Sequence, residues 1–74
     1  MHLTVTARGA LADRIPGGAG VTLTGTEATV GALLDHLGLA RSSCVVVVNG
    51  TAANAMARLR DGDRVQLYPQ QAGG

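Results

Sequence analysis

The sequence predicts an α+β fold, in which a mixed sheet of four to five strands packs on one main helix. Three observations support this prediction. Apolar and polar residues alternate in three short segments, one segment has helical periodicity, and turn residues separate the segments. The 74 residues allow one domain, and an apolar content of 46% is sufficient for folding. We place this domain at residues 1–68 and a flexible tail at residues 69–74.

The first two strands are predicted near the start of the chain. Residues 2–8 alternate between apolar and polar side chains, which is typical of a half-buried strand. Its inward residues are Leu3, Val5 and Ala7. Residues 9–20 are rich in Gly and contain Pro16, so we expect a loop there. Because residues 21–24 alternate again, the two strands should form a hairpin with a long connection.

Residues 30–37 are predicted to form the helix. Apolar residues recur at helical spacing along one face, namely Val30, Leu33, Leu34 and Leu37. Thr29 is a suitable N-cap, and Gly38 is a suitable residue for the C-terminal end. Gly31 lowers helix stability by about 1 kcal/mol relative to Ala. We therefore expect Gly31 to allow close packing of the helix on the sheet.

The second half of the chain contains two more predicted strands. The unbroken run Cys44–Val48 indicates a strand that is covered on both faces, and Asn49-Gly50 predicts a tight turn after it. Residues 51–60 form a short segment that should supply Met56 and Leu59 to the core.

The last strand is predicted at residues 64–68, after a tight turn at Asp61-Gly62-Asp63. Alternation places Val65 and Leu67 inward. Pro69 lacks an N–H group and should end the strand.

Composition argues against several classes of protein. A net charge of +1 and a single aromatic residue argue against nucleic-acid binding. No secretion signal and no apolar run near 18 residues is present, so we expect a cytoplasmic protein without a membrane segment.

His2 and His36 have no metal-ligand spacing, and we predict no metal site. The single Cys44 is expected to be a buried structural residue.

The tail, residues 69–74, carries no charge and no side chain larger than Gln. Gly73 and Gly74 have no Cβ, so they form a thin and flexible segment that can enter a narrow channel. Such a segment would present its own α-carboxylate.

Four segments resemble the MoaD/ThiS family of ubiquitin-like sulfur carriers: residues 29–34, 48–50, 59–65 and 68–74. The resemblance implies a β-grasp fold and a carrier that is not itself an enzyme. It also implies that an E1-like adenylyltransferase uses Mg-ATP to activate the Gly74 carboxylate. A sulfurtransferase step then forms a thiocarboxylate, which donates its sulfur to a downstream synthase. The carrier itself binds no cofactor.

A docking surface for these partners is predicted next to the tail. Strand alternation places Gln66 and Tyr68 opposite Val65 and Leu67. If Cys44, Val46 and Val48 face the helix, Val45 and Val47 form an exposed apolar patch with Tyr68. The predicted partner-binding residues are Val45, Val47, Gln66, Tyr68, Pro69, Gln70, Gln71 and Ala72, and the reactive end is Gly73 and Gly74.

Two other functions remain open at this point. The chain could be a protein modifier that is joined through Gly74 to lysines of other proteins, or a β-grasp binding module whose tail is idle. For a sulfur carrier, the acceptor could be a molybdopterin precursor, thiamine thiazole, a cysteine precursor or a secondary metabolite. The ending Tyr-Pro-x-x-Ala-Gly-Gly favours the molybdopterin type or a pathway-specific relative.

Overall fold

The computed structural model describes residues 1–14, 20–23, 25 and 28–70. Seven strands and one α-helix make up this part of the chain, together with two short 3₁₀ helices. The strands are β1 (His2–Ala7), β2 (Gly20–Thr22), β3 (Ala28–Thr29), β4 (Cys44–Val48), β5 (Thr51–Ala53), β6 (Arg58–Leu59) and β7 (Arg64–Pro69). The helix α1 is Val30–Leu37, and the 3₁₀ helices are Gly9–Arg14 and Arg41–Ser43.

Five strands form one mixed sheet in the order β2-β1-β7-β4-β5. The central strand β7 runs parallel to β1 and antiparallel to β4. The outer pairs β1–β2 and β4–β5 are antiparallel hairpins. The α+β prediction, the first hairpin and the turn at Asn49-Gly50 are therefore confirmed.

The start of α1 is supported by a second sheet that the sequence did not predict. In this sheet β3 pairs with β6, so that Ala28 lies opposite Leu59. The following helix donates its first backbone N–H groups to the adjacent loop, from Val30 to the Ala57 carbonyl and from Gly31 to the Ala55 carbonyl, both at 2.9 Å. These bonds satisfy donors that a helix cannot pair internally.

Both predicted helix caps are confirmed. The Thr29 hydroxyl accepts a hydrogen bond from the Ala32 N–H at 3.1 Å, and Gly38 adopts a left-handed conformation with φ of 74°.

The prediction that Gly31 brings the helix close to the sheet is wrong. A Cβ at Gly31 would lie 2.8 Å from the guanidinium carbon of Arg41, so this glycine makes room for an arginine side chain that crosses the helix.

The core lies between α1 and one face of the large sheet and is aliphatic apart from one cysteine. Its buried members are Leu3, Val5, Leu11, Leu23, Val30, Leu33, Leu34, Leu39, Cys44, Val46, Leu59, Val65 and Leu67. The inward positions predicted for β1 and β7 are confirmed. Leu11, in the segment predicted to be a loop, is a core residue of the first 3₁₀ helix.

The two predictions for residues 51–60 have opposite outcomes. Leu59 is fully buried, as predicted, but Met56 is 83% exposed, so its assignment to the core is wrong. The backbone carbonyls of Ala55 and Ala57 accept hydrogen bonds from the first N–H groups of α1. The turn between these two contacts directs the Met56 side chain to solvent.

Candidate functional site

The large sheet has one face that α1 does not cover, which we call the outer face. Strand alternation places the residues between the core positions on this face: His2, Thr4, Thr6, Val45, Val47, Arg64, Gln66 and Tyr68. Because β7 is the central strand, its outer side chains have neighbours on both sides, from β1 and from β4. The predicted docking residues all belong to this face or to the segment that follows it.

Four of the predicted docking residues form two adjacent cross-strand pairs. Val45 lies opposite Tyr68, and Val47 lies opposite Gln66. Val45 is 43% exposed, whereas the other three are half-buried by their neighbours on the sheet. We call Val45, Val47 and Tyr68 the apolar patch. The predicted parity of β4 is confirmed, because Cys44 and Val46 are buried.

The prediction that β4 is covered on both faces is wrong. Only the face toward α1 is buried, and Val45 is one of two large hydrophobic residues that are exposed in the described part of the chain. An unbroken run of Val is compatible with a one-sided sheet because adjacent outer side chains shield each other laterally. Exposed apolar residues of this kind commonly mark a contact surface.

The apolar patch lies at the end of the sheet where the tail begins. Pro69 is the last residue of β7, so the strand extends one residue beyond the predicted 64–68 and includes the proline expected to end it. Pro69 pairs with Cys44, beside the Val45–Tyr68 pair, and Gln70 follows it at an exposed position. The predicted tail residues Gln71, Ala72, Gly73 and Gly74 lie outside the described residues.

Gly9 supports this end of the strand and was not singled out from the sequence. It has a left-handed φ of 59°, and a Cβ there would lie 3.1 Å from Cγ of Pro69. The glycine therefore allows the first 3₁₀ helix to pack closely on the last residue of β7. Sequence reasoning assigned Gly9 only to a loop, because the contact joins residues that are distant in the chain.

The opposite end of the outer face contains a polar groove. It is lined by Thr4, Thr6, Asn49, Gly50, Arg64, Val65 and Gln66. The groove exists because β1 pairs in parallel with β7, which puts Thr4 beside Arg64 and Thr6 beside Gln66. Alternation alone indicates the face of each residue but not its neighbouring strand, so the sequence does not predict this groove.

Asn49 closes the groove through hydrogen bonds to the start of β7. Its Oδ1 accepts from the Arg64 backbone N–H at 2.9 Å, and its Nδ2 donates to Oδ1 of Asp63 at 3.0 Å. The other Asp63 oxygen accepts from the Arg60 N–H at 2.8 Å. The polar atoms of Asn49 and the carboxylate of Asp63 are thus used within the turns, as expected for turn residues.

The remaining titratable residues do not assemble a reaction centre in the described part of the chain. Cys44 is buried, as predicted, and His36 is exposed. Nδ1 of His2 lies 3.0 Å from the Thr22 hydroxyl. Within residues 1–14, 20–23, 25 and 28–70, no group of three or more His, Cys, Asp or Glu residues could hold a metal ion. No helix of these same segments is long and apolar enough to cross a bilayer.

A mixed sheet wrapped on one short helix, with parallel first and last strands, defines the β-grasp class of ubiquitin-like proteins. The model of the ThiS family matches residues 12–74, and the chain belongs to the ThiS family. The predicted resemblance and fold are both confirmed. Proteins of this family are small ubiquitin-like carriers and not catalysts.

Solved structures of other proteins share the fold of this chain. The chain is 26% identical to the thiamine biosynthesis protein ThiS from Geobacter metallireducens, with a TM-score of 0.69 and 100% coverage of both chains. It is also 26% identical to small archaeal modifier protein 1 from Haloferax volcanii, with a TM-score of 0.73 over 95% of this chain and 98% of that one. Urm1 from Trypanosoma brucei shares the fold at 21% identity, with a TM-score of 0.68 over 99% of this chain and 95% of that one. No curated protein sequence matches the chain significantly.

Proposed function

We propose that this protein carries sulfur as a thiocarboxylate on Gly74. An E1-like partner would use Mg-ATP to join the Gly74 carboxylate to AMP, with release of pyrophosphate. A sulfur nucleophile would then displace AMP from the carbonyl carbon and leave sulfur in place of one oxygen. The observation that carries the proposal is the match to the ThiS family, which extends through Gly73 and Gly74.

The residue types of the tail suit this chemistry. A carboxylate is a poor electrophile, so it must be activated before a sulfur nucleophile can attack it. Gly74 has no side chain near the reacting carbon, and Gly73 lets the backbone approach the walls of a partner's channel. Pro69, Gln70, Gln71 and Ala72 would act as the spacer between the sheet and the reacting end.

The outer face would supply the affinity that the tail lacks. Ordering a flexible tail in a channel has an unfavourable entropy, which contacts elsewhere must offset. The apolar patch lies directly beside the start of the tail and contains Tyr68, a residue type that is enriched at interface hot spots. Val45, Val47, Gln66 and Tyr68 are therefore the proposed docking residues for the activating enzyme and the synthase. Because the cycle uses ATP, we propose that it takes place in the cytoplasm.

Two sulfur acceptors are worth testing first. The ending Tyr-Pro-x-x-Ala-Gly-Gly favours a molybdopterin-type synthase or a pathway-specific relative. The similarity to a thiamine biosynthesis protein favours a thiazole-forming synthase. Supplying the carrier with its Gly74 thiocarboxylate to each synthase in turn, and measuring sulfur in the product, separates these acceptors.

The carrier proposal is tested by mass spectrometry of the intact protein. Incubation with its adenylating enzyme, Mg-ATP and a sulfur donor should add the mass difference between sulfur and oxygen. Deletion of Gly74, or addition of one Ala after it, should abolish this change while the circular dichroism spectrum stays the same. If the wild-type mass does not change with an enzyme that is active on another carrier, the proposal is wrong.

Protein modification is a second candidate, favoured by the 26% identity to an archaeal modifier protein. The chain has no Lys, so a copy of it offers no side-chain amine as an acceptor. Conjugates would therefore link Gly74 to lysines of other proteins and could not extend through side chains of this one. Because Arg64 is the last basic residue, trypsin would leave the segment Val65–Gly74 on the acceptor lysine, and such isopeptide-linked remnants in digests of cells that express the protein would support this function. Their absence, together with thiocarboxylate formation, would support the carrier alone.

A further inference from the structure

The polar groove has a composition that differs from that of the apolar patch on the same face. It contains one cation, the exposed Arg64, and the hydrogen-bonding side chains of Thr4, Thr6 and Gln66. Among the described residues, the Arg64 guanidinium has no ion-pair partner, since the single salt bridge there joins Arg41 to Asp35. As far as the described residues show, the groove therefore presents a guanidinium without an ion-pair partner beside several hydrogen-bond donors.

The carboxylates nearest to Arg64 in the chain, those of Asp61 and Asp63, are hydrogen-bonded elsewhere. Asp63 precedes Arg64, but its two oxygens accept hydrogen bonds from the Asn49 amide and the Arg60 N–H. Asp61 is in the preceding turn, where its Oδ1 accepts a hydrogen bond from the His2 backbone N–H. Neither of these carboxylates forms an ion pair with Arg64, so its guanidinium can pair with an acidic group of a partner.

From this arrangement we infer that the groove receives an acidic side chain, Asp or Glu, of the adenylating enzyme. A guanidinium binds a carboxylate through two parallel hydrogen bonds, and the Thr hydroxyls and the Gln66 amide can donate to the remaining lone pairs. This inference depends on the proposed function, because it names a contact with the enzyme that would adenylate the Gly74 carboxylate.

The position of the groove determines what such a contact can do. β7 runs from Arg64 to Pro69, so Arg64 and the start of the tail are separated by roughly 17 Å at about 3.3 Å per residue. A partner that binds both must cover almost the whole length of the sheet. A charge pair at the far end affects the orientation and rate of docking, since peripheral charges mainly change association rates. It does not act on the reacting carbon.

Association rates with the purified adenylating enzyme, measured without ATP, test the inference. Arg64→Glu should slow association roughly tenfold relative to wild type at low salt, and Arg64→Gln should have a smaller effect. The difference should shrink as salt is raised. Arg41→Glu is the matched control, because it makes the same charge change beside α1, on the opposite side of the sheet, and should associate at nearly the wild-type rate.

Rescue identifies the acidic residue. Reversing one acidic residue of the enzyme to Arg should restore fast association with Arg64→Glu and slow it with the wild type. The inference is wrong if Arg64→Glu associates as fast as wild type, or if Arg41→Glu is slowed equally, because the effect would then be one of net charge. Failure of the carrier proposal would look different, since the wild type would bind the enzyme without any change in mass on addition of ATP and a sulfur donor.

Discussion

Asn49 and Arg64 lie one step beyond Val48 and Val65, the last pair of the β4–β7 ladder, and a side chain extends the ladder to them. The Asn49 backbone N–H donates to the Arg64 carbonyl at 2.8 Å, as in a regular antiparallel pair. The return bond, from the Arg64 N–H, goes to the Asn49 side-chain Oδ1 at 2.9 Å. Asn49 and Gly50 have φ of 51° and 84°, so the chain turns away here, and the amide side chain takes the place of the backbone carbonyl.

This pair predicts different effects for two substitutions at Asn49. Asn49→Ala loses both side-chain hydrogen bonds and places an unfavourable residue at positive φ, so it should lower the free energy of unfolding by about 2–3 kcal/mol. Asn49→Gly loses the same bonds without the backbone strain and should be about 1 kcal/mol more stable than Asn49→Ala. Urea denaturation measures both. Equal stability of the two variants would show that backbone strain has no part in the effect.

Gly9 should be more sensitive to a methyl group than Gly31. Gly9→Ala meets a positive φ and the ring of Pro69, and we expect a loss of about 1–3 kcal/mol. Gly31→Ala meets only the guanidinium end of the long Arg41 side chain, which is 57% exposed, and gains helix propensity. Its stability should change by less than about 1 kcal/mol. Thermal unfolding compares the two, and a larger loss at Gly31 would contradict this account.

The segment of residues 51–60 offers a direct test of burial. Leu59→Ala removes a fully buried side chain and should lower stability by about 2–5 kcal/mol. Met56→Ser alters a side chain that is 83% exposed and should change stability by no more than about 0.5 kcal/mol. Chemical denaturation of both variants provides the comparison. A large loss for Met56→Ser would mean that this residue packs in the core after all.

The apolar patch should affect binding without affecting folding. Tyr68→Ala and Val45→Asp should each weaken the complex with the adenylating enzyme by about 1–3 kcal/mol, because they remove apolar contact area beside the tail. Isothermal titration calorimetry measures the affinity. Met56→Ser is the control, since Met56 is the other large exposed hydrophobic residue described but lies outside the outer face. If the control loses as much affinity as the patch variants, the docking surface is not the one proposed.

The sequence alone determined which residues of β1, β4 and β7 face the core and where the helix begins and ends. These features depend on local periodicity and on side chains that bond to their own backbone, as at Thr29 and Gly38. It also indicated that Val45, Val47, Gln66 and Tyr68 share a face, because a strand alternates regardless of its neighbours.

Only the tertiary structure decided which strands became neighbours. The parallel pairing of β1 with β7 brings Thr4 beside Arg64 and Thr6 beside Gln66 and creates the polar groove. The hydrogen bonds of the Ala55 and Ala57 carbonyls to the start of α1 direct Met56 outward, beside the pairing of β3 with β6. Such pairings join residues that are dozens of positions apart. They are selected by the packing of the whole sheet on α1, which no local pattern encodes.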